Sequence, residues 1–207
     1  MKIVVFGMGY VGIPAAALFA DVDGFEVIGV QRRSARSGWK IDALNRGENP
    51  IGGDEPGLEE LLTRVHNKGT FRVTDDVTVV KEADAVLIDV QTPTEADHKP
   101  RYESLQTVTQ QVGELMRPGT LVCIESTVAP GTTENFVLPI LEEASGMQAG
   151  VDFSLAFAYE RVMVGRLLYN ITDLPRIVGG INSNSTNRAV ELYRNIVKAD
   201  LHATDAL

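Results

Sequence analysis

The first twelve residues constrain this chain most. Lys2–Phe6 is a Val- and Ile-rich apolar run, and it leads without a break into Gly7-Met8-Gly9-Tyr10-Val11-Gly12. A G-x-G-x-x-G pattern is weak alone. Directly after a strand and directly before the small, apolar stretch Ala15–Ala20, it marks the strand–turn–helix unit that seats a dinucleotide pyrophosphate. Gly7 permits the tight turn, Gly9 lets a phosphate approach the backbone, and Gly12 lets the helix pack close to the strand. The helix start then offers free N–H groups and partial positive charge to an anion.

The rest of the chain repeats that alternation. Apolar runs at Lys2–Phe6, Glu26–Val30, Thr70–Thr74, Ala85–Val90, Leu121–Ile124, Phe153–Phe157 and Arg176–Val178 read as strands. Most do not alternate with polar residues, as expected of parallel strands covered on both faces. Helical spacing appears at Ala15–Ala20, from a first-turn Pro56 to a stop at Gly69, and at Leu105–Met116, Thr133–Ala144 and Thr186–Val197. Strand–helix–strand alternation with short links predicts a Rossmann-type α/β fold: a doubly wound, mainly parallel sheet with helices on both faces. At 207 residues the chain is long enough to bury about 70% of its unfolded surface, so residues 1–207 read as one dinucleotide-binding domain. Two irregular stretches, Gln91–Arg101 and Ala158–Leu174, follow strand ends and read as binding loops.

Composition narrows the function. The formal net charge of −9 argues against nucleic acid or an anionic membrane as partner. A single cysteine, Cys123, excludes an internal disulfide, and three scattered histidines leave no metal site in prospect. No apolar run approaches the roughly 20 residues of a membrane span, and the N-terminus reads as a strand, so the cytoplasm is the expected compartment. The second dinucleotide check is the end of the next strand, where an acid usually bonds the ribose. Here Gln31 stands there. It carries donors and an acceptor that suit ribose hydroxyls, and the acid-free run Arg32, Arg33, Arg36 and Lys40 suits the adenosine end.

Further blocks follow in order: Leu44-Asn45-Arg46-Gly47-Glu48, Glu55-Pro56-Gly57-Leu58, Gln91-Thr92-Pro93-Thr94, Glu125-Ser126-Thr127-Val128-Ala129-Pro130-Gly131-Thr132-Thr133-Glu134, and Tyr159-Glu160-Arg161-Val162-Met163-Val164-Gly165 before Arg176-Ile177-Val178-Gly179-Gly180. Together they resemble the N-terminal NAD-binding domain of the nucleotide-sugar 6-dehydrogenases, which oxidise UDP-glucose, GDP-mannose and UDP-N-acetylhexosamines to uronic acids. The resemblance implies NAD on Gly7, Gly9, Tyr10, Val11 and Gly12, with Gln31 and Arg32 at the adenosine end and Thr92 and Thr127 on the nicotinamide side. It implies catalytic roles for Thr127 and Glu160, which order water and protons, and substrate contacts from Arg161 and Val162. Glu-Arg, where UDP-glucose enzymes have Glu-Phe, resembles the branch acting on UDP-N-acetylmannosamine and similar sugars.

The chain departs from the family in several places. Gln31 replaces an Asp, Tyr159 a Pro, Val164 a second Glu, and Arg101 a frequent acid. The family's nucleophilic Cys, its catalytic Lys and Asn on a central helix, and its C-terminal UDP-binding domain have no counterpart in these residues. The expectation is therefore an enzyme portion that is inactive alone and a homo-oligomer only in a full-length form. The alternative is a stand-alone NAD(P)-binding module. Cys123 lies inside an apolar run and reads as a structural thiol. NAD is expected over NADP, because Gln31 can satisfy the ribose hydroxyls and Arg32 can stack on the adenine; the ratio is expected to be modest, because Gln31 carries no charge to repel a 2′-phosphate.

Overall fold

In a computed structural model of the chain, residues 1–94 and 98–205 are described. Eight strands form one sheet: β1 (Lys2–Phe6), β2 (Glu26–Val30), β3 (Phe71–Thr74), β4 (Ala85–Ile88), β5 (Leu121–Ile124), β6 (Ser154–Phe157), β7 (Arg176–Gly180) and β8 (Leu201–Asp205). Their order is β3-β2-β1-β4-β5-β6-β7-β8. Every pairing is parallel except β6 with β7. The helices are α1 (Gly12–Asp21), α2 (Trp39–Leu44), α3 (Leu58–Lys68), α4 (Glu103–Leu115), α5 (Leu138–Ser145), α6 (Leu167–Asp173) and α7 (Ser183–Tyr193). This is the doubly wound architecture expected from the alternation.

The central strands are apolar on both sides because both sides are covered. Ile3 and Val5 point into a core shared with α1, α3, α6 and α7, while Val4 and Phe6 join α4 and α5. All four are buried. The chain winds from β1 outward to β3, then returns past β1 to β4. The crevice between β1 and β4 is thus the topological switch point, where open α/β sheets bind ligands.

The antiparallel reversal at β7 matters for the site. Phe157 pairs with Gly179 and Ala156 with Gly180, so β7 begins beyond the carboxyl end of β6. Its first residue, Arg176, is thereby delivered to the edge where β1, β2, β4, β5 and β6 all end.

Several boundaries differ from the sequence reading. β4 stops at Ile88 rather than Val90. Ser126 bends in there, its hydroxyl donating to the carbonyls of Ile88 (3.1 Å) and Val90 (2.8 Å). Pro56 precedes its helix instead of opening it; left-handed Gly57 (φ 80°) caps α3. The helix expected at Thr133–Ala144 opens with one π turn, Thr133–Val137, before α5. The last helix starts and ends earlier than expected; Asn182 sets its start by accepting from the Ser185 amide at 2.8 Å. Ala158–Leu174 is not wholly irregular, since it contains α6. The short elements α2 and β8 carry too little periodicity to be read. Of the loop Gln91–Arg101, residues 95–97 lie outside the described structure.

The edge strand β3 is protected by a side chain. Asn45, just past α2, donates to the Val73 carbonyl (2.8 Å) and accepts from the Val73 amide (2.7 Å). It thus occupies backbone groups that an edge strand otherwise leaves open. Asn45→Ala is expected to cost about 1–2 kcal/mol in urea unfolding and to speed amide exchange at Val73. Unchanged exchange at Val73 would contradict this role.

Candidate functional site: a glycine turn over a buried carboxylate–arginine cluster

The turn after β1 is shaped by absent side chains. Gly7 has φ +99°, and a Cβ there would lie 2.3 Å from the Asp89 carbonyl oxygen; one on Gly12 would lie 2.0 Å from the Gly7 carbonyl. Both glycines are forced by close backbone approach. At Gly9 a Cβ would meet no atom within 4 Å. That side of the turn faces open space, where a pyrophosphate could sit. The first helical bond runs from Ile13 N to Gly9 O at 3.2 Å, so the amides of Tyr10, Val11 and Gly12 come ahead of the ladder. Lys40 brings a cation to the same turn, its Nζ donating to the Met8 carbonyl at 3.1 Å. Burial lowers the pKa of this ammonium. These groups suit a dinucleotide pyrophosphate.

Gln31 does work the sequence did not reveal. Its side-chain oxygen accepts from the Met8 amide at 3.1 Å, and its nitrogen donates to Ser37 Oγ (3.1 Å) and the Arg32 carbonyl. It braces the glycine turn against the loop after β2. Within the basic run, Arg33 is engaged by Asp75 (3.1 Å) and Asp42 (3.7 Å), whereas Arg32 and Arg36 are exposed. Across the crevice, Thr92 Oγ1 donates to the Thr127 carbonyl at 2.7 Å, which ties the β4 and β5 loops together. Tyr10 and Thr127 are exposed, and Val11 is half-buried.

The Glu160 loop is anchored from several sides. Arg161 is exposed and donates to the Pro175 carbonyl, while Val162 packs against the core. Glu55, read from the sequence only as part of a helix-start block, is a buried clamp. Its carboxylate accepts from the amides of Gly165 (2.5 Å) and Leu167 (3.2 Å), and Asn170 accepts from the Met163 amide at 2.8 Å.

Beneath the loop lies a cluster no sequence pattern announced. The Arg176 guanidinium is buried and lies 4.1 Å from the centroid of the Tyr193 ring. It donates to Glu125 and to the Ala158 carbonyl, and its other amino nitrogen is 3.3 Å from Glu160 Oε1. Tyr193 also donates to Glu125, at 2.9 Å. Burial opposes the charge on Arg176, but Tyr193, Glu125 and Glu160 outweigh it and keep the guanidinium protonated. The Glu160 side chain is 6% exposed, and burial pushes its pKa up to about 7 despite Arg176. Cys123 sits in the same interior, its thiol raised to about 12 by burial, as fits a structural thiol.

A family model for the NAD-binding domain of UDP-glucose/GDP-mannose dehydrogenases matches residues 1–197. The chain belongs to this family. The UDP-N-acetyl-D-mannosamine dehydrogenase of Pyrococcus horikoshii is 39% identical over 206 residues, covering 100% of this chain and 47% of the relative. The crystal structure of NDP-N-acetyl-D-galactosaminuronic acid dehydrogenase from Methanosarcina mazei Go1 superposes with a TM-score of 0.96 at 52% identity, covering 99% of this chain and 44% of that one. A ternary complex of GDP-mannose dehydrogenase from Pseudomonas aeruginosa gives 0.88 at 31% identity, over 100% and 47%. The chain thus spans about half the length of the relatives it matches. Among its described residues no helix is long and apolar enough to cross a membrane, and no cluster of three metal-ligating side chains occurs.

The raised Glu160 pKa sets a pH dependence of stability. In the unfolded chain its carboxyl titrates near 4.5, and in the fold at about 7, so the fold holds more protons between those values. Stability from this group is complete below 4.5, declines as pH rises toward 7, and totals about 3 kcal/mol. Urea unfolding from pH 5 to 8 should therefore show a decline that Glu160→Gln reduces. A wild-type slope of opposite sign that Glu160→Gln leaves unchanged would contradict it.

Proposed function

We propose that this domain is the NAD-binding portion of an enzyme that oxidises the C6 alcohol of a UDP-N-acetylhexosamine, of the UDP-N-acetylmannosamine kind, to the uronic acid with two NAD. The observation that carries the reading is that the Glu160–Arg161 loop and the glycine turn share one sheet edge, with the Glu160 carboxyl buried beside Arg176. NAD, when bound, supplies the hydride acceptor. The chain's residues do the rest of the local work. The turn amides and Lys40 hold the pyrophosphate, with Arg32 at the adenosine end. Thr92 and Thr127 line the nicotinamide side, Glu160 takes up or releases protons near neutrality, and Arg161 and Val162 meet the sugar nucleotide.

The preference for an N-acetylated sugar is supported by the relatives named for such sugars and by Arg161 after Glu160. Arg161 is exposed, and a guanidinium there can take a diphosphate or sugar oxygens in paired hydrogen bonds. Residues 1–207 are read as one domain of a larger cytoplasmic assembly. They contain one thiol, Cys123, which is buried, so they offer no accessible thiol nucleophile.

Calorimetry should show NAD binding by the chain alone, with no steady NADH formation from UDP-N-acetylmannosamine. Gly9→Val should abolish binding while leaving the fold intact, since the position opens outward. Fused to the corresponding second half of the Methanosarcina mazei relative, the chain should form NADH from a UDP-N-acetylhexosamine. Steady turnover by the chain alone would contradict the reading. NAD binding by a folded fusion that gives no turnover would mark a stand-alone binding module instead.

A further inference from the structure

The buried cluster leaves polar atoms of both kinds without a hydrogen-bond partner: Asp89 Oδ1 and Oδ2, Glu125 Oε2 and Glu160 Oε2 among the acceptors, and Arg176 Nε and Nη1 among the donors. Three carboxyl groups, Asp89, Glu125 and Glu160, surround the single guanidinium of Arg176. Asp89 follows β4 directly beneath the glycine turn, where a Cβ on Gly12 would come within 3.4 Å of its own Cβ. Asp89 as a residue is partly exposed, yet both its carboxyl oxygens are shielded from solvent and lack a donor, as does Glu125 Oε2. Asp89 and Glu125 directly follow the paired residues Ile88 and Ile124, so they sit side by side at the carboxyl ends of β4 and β5. Two ionised carboxylates so placed repel and can form no bond; one proton between them turns the pair into a donor and an acceptor.

We propose that Asp89 is a positioning residue held as the neutral acid, whose O–H donates to Glu125 and, through Arg176, sets the charge and orientation of Glu160. The chain of contacts runs from the floor of the dinucleotide turn to the loop that carries Glu160. With its second oxygen satisfied by Asp89, Glu125 needs only one amino nitrogen of Arg176, and the other remains for Glu160. Burial and the neighbouring Glu125 carboxylate raise Asp89 well above the usual carboxylate range. The other groups facing it are Arg176, Glu160, Tyr193 and, beyond Glu125, the Cys123 thiol. Of these only Arg176 favours its ionisation. The proposal rests on reading Glu160 as the proton-handling group, but its test requires neither cofactor nor turnover.

The test reads protonation directly in the chain itself. Infrared spectra at pH 8 should contain the C=O band of a buried carboxylic acid, lost in Asp89→Asn. Carbon-13 NMR of labelled glutamate carboxyls, with Glu160 assigned through Glu160→Gln, follows its titration. Asp89→Asn keeps a donor toward Glu125 and should leave the Glu160 midpoint in place. Asp89→Ala removes the donor, draws Arg176 toward Glu125, and should raise that midpoint by roughly one pH unit. An ionised Asp89 predicts the opposite: no acid band at pH 8, and a midpoint that falls in both variants as a negative neighbour is lost. Either result would overturn the proposal, and if Asp89→Ala fails to fold, the band and Asp89→Asn still decide it.

Discussion

The interior of this domain depends on keeping one buried cation paired. Arg176 is almost wholly removed from water, and a guanidinium in that position is tolerated only with opposite charge close by. Glu125 comes from the end of β5, Ala158 and Glu160 from the loop after β6, and Tyr193 from α7. Arg176 itself begins β7. Four separate segments must therefore close together for the charge to be accommodated. Removing one partner of such a buried pair generally costs about 3–5 kcal/mol, because it strands the other charge. The antiparallel turn of β7 serves this requirement: a parallel β7 would start at the opposite edge of the sheet.

The same closure extends to the glycine turn. The glycine turn lies against Asp89, Asp89 faces Glu125, and Glu125 shares Arg176 with Glu160. The glycine turn and the Glu160 loop are thus two ends of one packed interior. Above it, Gln31 and Lys40 fix the turn from one side, while the Thr92–Thr127 bond fixes the crevice from the other. The Glu55 clamp holds the far end of the Glu160 loop. Polar groups that would be costly to bury unpaired become cross-links between these loops.

How much was legible in the sequence follows from the range of each interaction. The strands from β1 to β7 and the turn were readable because hydrophobic runs and glycine spacing are local signals. The helix ends were less so: Gly57 caps through its left-handed backbone and Asn182 through its side chain, and no apolar period records either. β8 and α6 were missed because short elements take their stability from neighbours distant in the chain. Among site residues, those from Gly7 to Gly12 stood out by pattern. Arg176 looked like the polar start of a strand, Asp89 like a residue inside one, and Glu55 like part of a helix start. Their partners lie 51 and 110 residues away for Arg176–Glu125 and Glu55–Gly165, and one-dimensional spacing carries no trace of such meetings.

The central claim is that the dinucleotide seats at the switch point between β1 and β4, on the turn that rests on Asp89. Backbone amide shifts of the nitrogen-15-labelled chain, recorded while NAD is added, test it most directly. The account predicts that the largest changes fall on Gly9, Tyr10, Val11 and Gly12, with further changes at Gln31, Thr92 and Thr127. Saturable changes confined to the opposite edge of the sheet, around Gly24 and Gly119, would contradict it.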